Sequence, residues 1–244
     1  MRRPPQKWLA LAAAQTGYLL DAMDVLFYVF ALSAIRAEFQ LSNEQAGVVS
    51  GLTLVASAAG GIAAGALADR IGRRRTLIYT ILVYSLASGG AATSSSLWEL
   101  LFWRALIGVG LGGEWAAGAV LVAEWWPASQ RGKAMGIMQS GWALGYMAAA
   151  VISGYVLPRW GWRVLFLIGV LPALATVLIR FTVEDPPVWT ERSGRERANW
   201  RALCQGPLAG ITLRATATAT AVLLGYWGLF TWLPTFLADR KSVV

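Results

Sequence analysis

The 244-residue sequence contains no histidine, a single cysteine and few charged residues. Without histidine, the natural carriers of an internal proton are carboxylates. The lone Cys204 cannot form an intramolecular disulfide. Only 14% of the residues are charged, 57% are hydrophobic and the mean hydropathy is +0.53, which excludes an ordinary soluble domain. The composition indicates a protein that crosses a membrane several times.

The sequence also lacks the patterns of common enzyme sites. We find no cluster with metal-ligand spacing, no nucleophile paired with a base and no nucleotide-binding loop. We therefore predict no catalytic residues, no metal and no cofactor, and a membrane-embedded enzyme is the least favoured class.

Seven apolar stretches reach or approach the ~20 residues that span a bilayer. The sixth is short, but Arg163 and Arg180 at its ends can extend toward the lipid headgroups. We therefore predict an all-α polytopic protein with seven transmembrane helices. The stretches are Trp8 to Ile35, Gln45 to Ala68, Thr76 to Trp98, Leu100 to Ala123, Ala134 to Pro158, Val164 to Ile179 and Ala215 to Ala238.

The basic residues are divided unequally between the two sides of these helices. Fifteen of the 21 Lys and Arg residues would lie on the side of the N-terminus and five on the other side, while Arg104 lies within a helix. Because cytoplasmic loops are enriched in Lys and Arg, the N-terminus is predicted to be cytoplasmic. The net charge of +8 thus reflects membrane topology, and the dispersed basic residues argue against nucleic-acid binding.

A long polar segment divides the chain. We predict a six-helix transmembrane bundle over residues 1–181, a cytoplasmic linker over 182–210 and the first helix of a second, truncated bundle over 211–244. Six helices before the linker and one after it are the pattern expected of one complete half of a two-half protein and the start of the other.

The first helix carries acids where the membrane centre is expected. Gly17, Asp21, Asp24 and Tyr28 recur at intervals of four, three and four, which places them on one stripe of a helix. A charge at the bilayer centre costs ~2.5 to 3.5 kcal/mol, so such a pair usually belongs to a solute or proton pathway. The stripe should therefore face the protein interior. The alternative is that the acids cap an irregular break in the helix.

The fourth helix contains one base and one acid. Arg104 and Glu114 are separated by ~15 Å along a helix and ~80° around it, so they cannot pair with each other. For Arg104 the alternative role is an anchor at the outer helix end, and for Glu114 it is a structural pairing with another helix. With Asp21 and Asp24 there are three acids for one base, so at least one acid should carry a proton part of the time.

Glycines recur at spacings of four in several predicted helices, which is typical of close helix packing. These pairs are Gly47/Gly51, Gly61/Gly65, Gly132/Gly136 and Gly141/Gly145.

The loop between the second and third helices has the most specific local pattern. Gly65 is expected to let helices approach, Asp69 to hold an arginine or face a helix N-terminus, and Gly72 to permit a tight turn. A basic loop that only sets topology would not require these three residues. The full pattern is Gly65-Ala-Leu-Ala-Asp69-Arg70-Ile-Gly72-Arg73-Arg74-Arg75.

At this loop the chain resembles the major facilitator superfamily, whose hallmark is Gly-x-Leu-Ala-Asp-Arg-x-Gly-Arg-Arg. Further stretches look like the bacterial sialate, aromatic-acid and metabolite proton symporters of that superfamily, although Ala22 replaces the glycine of their Asp-Gly-x-Asp pattern. These stretches include residues 17–24, 112–115, 160–166 and 171–172. The resemblance implies two six-helix halves around a central cavity, alternating access driven by a proton gradient, and a monomer in the bacterial inner membrane. It also implies that the loop holds the halves in one conformation, with gating residues Gly65, Asp69, Arg70, Gly72, Arg73 and Arg74.

The leading hypothesis for function is proton-coupled symport of a small organic anion. Asp21 or Asp24 would take up the proton and Arg104 would hold a carboxylate by paired hydrogen bonds, with Tyr28 and Glu114 as further members of the site. A proton/drug antiporter would use the same acids to attract a cation. A non-transporting, truncated membrane fragment is the third hypothesis.

Overall fold

The computed structural model describes residues 6–174, 182–187 and 205–241, with side chains described as far as residue 226. In these ranges the chain forms six α-helices and no strand, which confirms the predicted all-α class. The helices are α1 Gln6–Phe39, α2 Asn43–Ile71, α3 Arg73–Ala92, α4 Leu97–Trp125, α5 Ala128–Ile168 and α6 Gly206–Lys241.

Five helical segments are long and apolar enough to cross a membrane: α1, α2, α4, residues 128–174 and Gly206–Tyr226. Helix α3 has 20 residues but is more polar, since it begins with three arginines and buries several hydroxyl groups. The hydroxyls of Thr76 and Thr80 donate hydrogen bonds to carbonyl oxygens of the preceding turn, so these two polar groups have partners inside the bundle. The chain is a multi-pass helical membrane protein in which α3 is the most polar helix of the first bundle.

Several predicted helix boundaries were wrong, the third and seventh among them. The third apolar stretch was expected to run to Trp98, but α3 ends at Ala92, and Ser96 begins the next helix by accepting a hydrogen bond from the Glu99 N–H at 3.3 Å. Serine is a preferred N-cap, and an apolar count does not register it. In the second unit, α6 begins at Gly206 rather than near residue 215.

Helix α5 contains both the predicted fifth helix and the start of the sixth. Gly161 adopts φ +77°, ψ +177° and breaks the helix three residues after Pro158. A left-handed φ of this kind is readily available only to glycine. The later part of the predicted sixth helix, residues 175–179, and most of the predicted linker lie outside the described residues. The predicted domain boundaries remain predictions.

The chain divides into two compact units, residues 1–196 and 197–244. In the first unit α4 is central, because it contacts α1, α2, α3 and α5. The most extensive pairings join α1 to α5 and α2 to α4. The described part of the second unit is the long helix α6.

Glycines bring the paired helices into backbone contact. A Cβ at Gly112 would collide with the Ser57 carbonyl, and one at Gly141 would lie 2.6 Å from the Gln15 carbonyl. Of the predicted packing pairs, Gly141/Gly145 is therefore confirmed, and Gly61 lies against Gly112. For five glycines a Cβ would meet no atom of the described residues within 4 Å, so no described helix packs closely against them: Gly47, Gly51, Gly65, Gly132 and Gly136.

Candidate functional site

The acidic stripe of α1 faces the interior of the first bundle. Asp21, Asp24 and Tyr28 are 3%, 1% and 2% exposed. Helix α1 is one uninterrupted element from Gln6 to Phe39, so the alternative in which the acids cap a break is wrong. Burial of two carboxylates on one face of a membrane helix is costly unless other groups meet them there.

Arg104 meets this stripe from α4. Its Cζ lies 4.1 Å from the centre of the Tyr28 ring, and the guanidinium interacts electrostatically with Asp24. The side chain is 2% exposed, so Arg104 is not an anchor at the outer helix end. Its Nε and Nη1 have no hydrogen-bonding partner in the described part of the chain. The arginine thus presents unused donors inside the bundle, which is a costly state that a carboxylate would relieve.

Asp24 is also tied to α3 and α5. Ser88 donates a hydrogen bond of 2.6 Å to Oδ1 of Asp24, and its hydroxyl lies 3.1 Å from the Phe166 carbonyl oxygen. The backbone after α5 can lie this close to Asp24 because residue 169 is a glycine. A Cβ added there would lie 2.6 Å from Oδ1 of Asp24. Oδ2 of Asp24 has no partner among the described residues, and a cavity of about 40 Å³ adjoins this acid. That volume has room for about one water molecule.

Asp21 faces a different set of groups. It interacts electrostatically with Glu114 of α4, and the hydroxyl of Tyr84 on α3 is close to both acids. Glu114 and Tyr84 are 2% and 0% exposed. Neither carboxylate oxygen of Glu114 has a hydrogen-bonding partner in the described ranges. Glu114 therefore faces polar groups of two other helices, Asp21 on α1 and Tyr84 on α3.

Two glycines make this second arrangement possible. A Cβ at Gly17 would collide with Oε1 of Glu114, and a Cβ at Gly110 would lie 2.6 Å from the Cβ of Tyr84. Gly17 thus leaves room for the acid, and Gly110 lets α3 bring the phenol close to α4. The predicted stripe is correct, and its glycine has a specific steric function.

The predicted gating loop forms an ion-pair cluster at one end of the bundle. Arg73 pairs with Asp69 at 2.9 Å and makes two hydrogen bonds of 2.8 Å to Glu124 at the end of α4. The expectation that Asp69 holds an arginine is confirmed. The side chain of Arg70 is exposed, and Gly65 makes no close helix contact.

Gly72 forms the turn with φ +102° and joins α2 directly to α3. The carboxylate at the N-terminus of α3 is Asp185, which accepts a 2.9 Å hydrogen bond from the Arg74 N–H. A Cβ at Gly72 would lie 2.8 Å from Asp185 Oδ2. Because helix N-termini favour anions, this contact fixes residues 182–187 against the loop. The helix N-terminus is thus faced by Asp185 rather than Asp69.

A second polar cluster lies at the opposite end of the bundle. Glu38 pairs with Arg163 at 2.6 Å and accepts a 2.6 Å hydrogen bond from Trp162 Nε1. Arg163 also donates to the Ser94 carbonyl at 2.9 Å. The hydrogen bond from Arg163 lowers the pKa of Glu38 below its usual value. The cluster joins the end of α1 to the segment that follows Gly161.

Sequence reasoning missed five polar side chains of these clusters: Glu38, Tyr84, Ser88, Glu124 and Asp185. Tyr84 and Ser88 are four residues apart on α3, which places them on one helix face with Thr80 and indicates that this face is buried against polar groups. The other three lie at helix ends or in a connection, where acids are common and carry little signal.

The sequence model of the Major Facilitator Superfamily matches residues 16–243. The putative niacin/nicotinamide transporter NiaP of Bacillus subtilis strain 168 is 34% identical over 240 residues, which cover 97% of this chain and 60% of that protein. The cis,cis-muconate transport protein of Acinetobacter baylyi is 31% identical over 244 residues, which cover 96% of this chain and 59% of that protein.

Among solved structures, a bacterial homologue of the human lysosomal transporter Spinster in an inward-facing, unoccupied conformation superposes with a TM-score of 0.74 at 21% identity. The match covers 97% of this chain and 56% of that one, and it shows a shared fold. The chain spans about 60% of the length of the curated relatives it matches.

Proposed function

We propose that the helices of this chain, which belongs to the Major Facilitator Superfamily, line the pathway of a proton-coupled symporter for a small organic acid. The observation that carries this proposal is Arg104, a buried arginine that has free donors and stacks on Tyr28. A planar guanidinium recognises a carboxylate by two parallel hydrogen bonds, which a lysine cannot reproduce.

The named relatives support an organic-acid substrate. Niacin and cis,cis-muconate, which appear in the names of two of them, are both carboxylic acids. Arg104 already interacts with Asp24, so an incoming carboxylate would compete with Asp24 for the same guanidinium. Competition of this kind would make substrate binding change the electrostatic environment of the buried acids.

The test is uptake by the complete gene product in proteoliposomes, with radiolabelled niacin and cis,cis-muconate as probes and an acidic exterior. Arg104→Lys and Arg104→Gln should each reduce uptake at least tenfold, because paired recognition is lost in both. Arg75→Gln, an exposed arginine at the start of α3, is the matched control and should transport normally. Undiminished uptake by both Arg104 variants would contradict the proposal.

Proton coupling is tested by driving the same uptake with a pH difference. Asp21→Asn and Asp24→Asn are each assayed for accumulation against a substrate gradient, with Glu44→Gln as an exposed acid-to-amide control. Undiminished coupling in both aspartate variants would exclude a proton role for the α1 acids.

A proton/drug antiporter is the second candidate, and the excess of buried acids over Arg104 favours it. Three acids, Asp21, Asp24 and Glu114, are buried in the bundle with Arg104, whereas the other buried base of the described residues, Arg73, pairs with Asp69 and Glu124 in the loop. An excess of negative charge attracts cations. The two functions differ in direction: a symporter accumulates an acid when the exterior is acidified, whereas an antiporter expels a lipophilic cation from vesicles with an acidic exterior.

The ion-pair loop is proposed to act as a gate. Asp69, Arg73 and Glu124 connect α2, α3 and α4 at one end, so a change in their pairing would alter how these helices meet the rest of the transporter. We place this end in the bacterial cytoplasm, with the N-terminus, from the distribution of Lys and Arg. The protein is proposed to reside in the inner membrane and to work as a monomer.

A further inference from the structure

We infer that Asp21 and Glu114 share the coupling proton, with the hydroxyl of Tyr84 close to both acids. The inference deepens the proposed symport function and depends on it. It divides the buried charges into two sites: a proton site formed by Asp21, Tyr84 and Glu114, and a substrate site formed by Asp24, Ser88 and Arg104.

The partners of each acid separate the two sites. Asp24 has a cation, Arg104, and a hydrogen-bond donor, Ser88. The groups that act on Asp21 are Glu114, Asp24 and Tyr84, and those that act on Glu114 are Asp21 and Tyr84. None of these is a cation. Within the described residues, therefore, Asp21 and Glu114 are the two acids that face each other without a counter-ion.

The chemistry of two facing carboxylates requires a proton. Ionised carboxylates only accept hydrogen bonds, so two of them side by side leave their oxygens without donors. Both oxygens of Glu114 and Oδ1 of Asp21 are buried and have no hydrogen-bond donor among the residues that the structure describes. One added proton turns one acid into a donor, closes a carboxyl–carboxylate hydrogen bond and reduces the charge of the pair from −2 to −1. Burial makes this gain large, because an unpaired charge is costly away from water.

Two glycines leave the space in which the two acids approach each other. Gly17 lies one helical turn before Asp21 and is the position at which any side chain would displace Glu114. Gly110 lies one turn before Glu114 and permits the approach of Tyr84. Each acid thus has, four residues earlier on its own helix, a glycine that leaves room for a group from a neighbouring helix.

The proposed transport cycle needs only the proton and the substrate. A proton from the outer solution binds the Asp21–Glu114 pair, substrate binds at Arg104, and after the conformational change the proton leaves to the inner solution. When the pair is deprotonated, two negative charges repel each other between α1 and α4, and this repulsion is removed by protonation. Proton binding is therefore linked to how closely these two helices fit together.

The experiment compares two assays of the complete protein in proteoliposomes containing niacin or cis,cis-muconate. Counterflow measures exchange without a proton gradient, and accumulation measures uptake driven by an acidic exterior. Glu114→Gln should retain counterflow within about threefold and lose accumulation at least tenfold. Tyr84→Phe should also lose more accumulation than counterflow, but by a smaller factor. Glu114→Asp should keep part of the accumulation that Glu114→Gln loses. Ser88→Ala, in the substrate site, should instead reduce both assays together.

Full accumulation by Glu114→Gln would overturn the inference, as would an equal loss of both assays in Glu114→Gln and Tyr84→Phe. If Glu114→Gln does not fold, Tyr84→Phe carries the test alone, because it removes a single hydroxyl. Failure of the wild-type protein to perform counterflow or accumulation with any organic acid would contradict the proposed function itself. The two failures are thus distinguishable.

Discussion

Ser88 on α3 donates a 2.6 Å hydrogen bond to Asp24 on α1, and the same hydroxyl lies 3.1 Å from a carbonyl of α5. Both side chains are buried. One small hydroxyl therefore joins three helices around one acid. A hydrogen bond to a charged group contributes about 1.5 to 3 kcal/mol, which is more than a typical neutral pair contributes.

Ser88→Ala should lower the free energy of unfolding by about 1.5 to 3 kcal/mol, because the buried carboxylate of Asp24 would lose its hydrogen-bond donor. The measurement is thermal or denaturant unfolding in a mild detergent. Ser57→Ala is the control, since the Ser57 hydroxyl donates only to a carbonyl of its own helix. Equal stability losses in the two variants would show that the hydrogen bond to Asp24 contributes no more to the free energy of unfolding than a hydrogen bond within one helix.

Gly17→Ala should abolish proton-driven accumulation while changing stability little. The added methyl group would collide with the carboxylate of Glu114, which ends a flexible side chain and can move away from Asp21. Gly51→Ala, on α2, introduces the same methyl group with no atom within 4 Å, and should be neutral or stabilise the helix by up to ~1 kcal/mol. Normal accumulation by Gly17→Ala would contradict the steric role of this glycine.

Arg73→Gln should destabilise the loop end of the bundle by about 3 kcal/mol, because it leaves Glu124 and Asp69 without their cation. The side chains of Arg73 and Glu124 are only 10% and 18% exposed, so solvent screens this pair weakly. A double-mutant cycle with Glu124→Gln measures the coupling, and Arg75→Gln controls for loss of an exposed charge. A coupling energy near zero would exclude the pair as a structural connection.

The pH dependence of stability should change when Glu38 is replaced by glutamine. Arg163 lowers the pKa of Glu38 in the folded protein, so this carboxylate stabilises the fold above its unfolded pKa of ~4.3 and the contribution disappears as the pH falls through the lower folded pKa. The stability difference between wild type and Glu38→Gln should be full at neutral pH, begin to shrink as the pH falls below the unfolded pKa of ~4.3, and vanish below the lower folded pKa. Melting temperatures in detergent between pH 3 and 7 would reveal a constant difference if this reasoning is incorrect.

The sequence predicted the α1 stripe correctly because its signal is local. The spacing of Asp21, Asp24 and Tyr28 fixes a helix face, and the cost of charge in a membrane fixes the direction of that face. The resemblance to the superfamily is confirmed by the match of the family model. It could be recognised from the sequence because the loop pattern is contained within eleven consecutive residues.

The partners of these residues were not predictable, because they are distant in sequence. Glu124 lies 51 residues from Arg73, and Asp185 lies 111 residues from Arg74. The glycine pairs are a weaker guide to packing for a related reason. A spacing of four shows that Gly132 and Gly136 share a helix face, but it does not show whether another helix covers that face.

Glycine contacts divide the first bundle into two groups of helices. Gly112 and Gly110 bring α4 against the backbones of α2 and α3, while Gly141 and Gly145 bring α5 against the backbone of α1. Asp21 belongs to one group and Glu114 to the other, so a small displacement between the groups would change the distance between two charges.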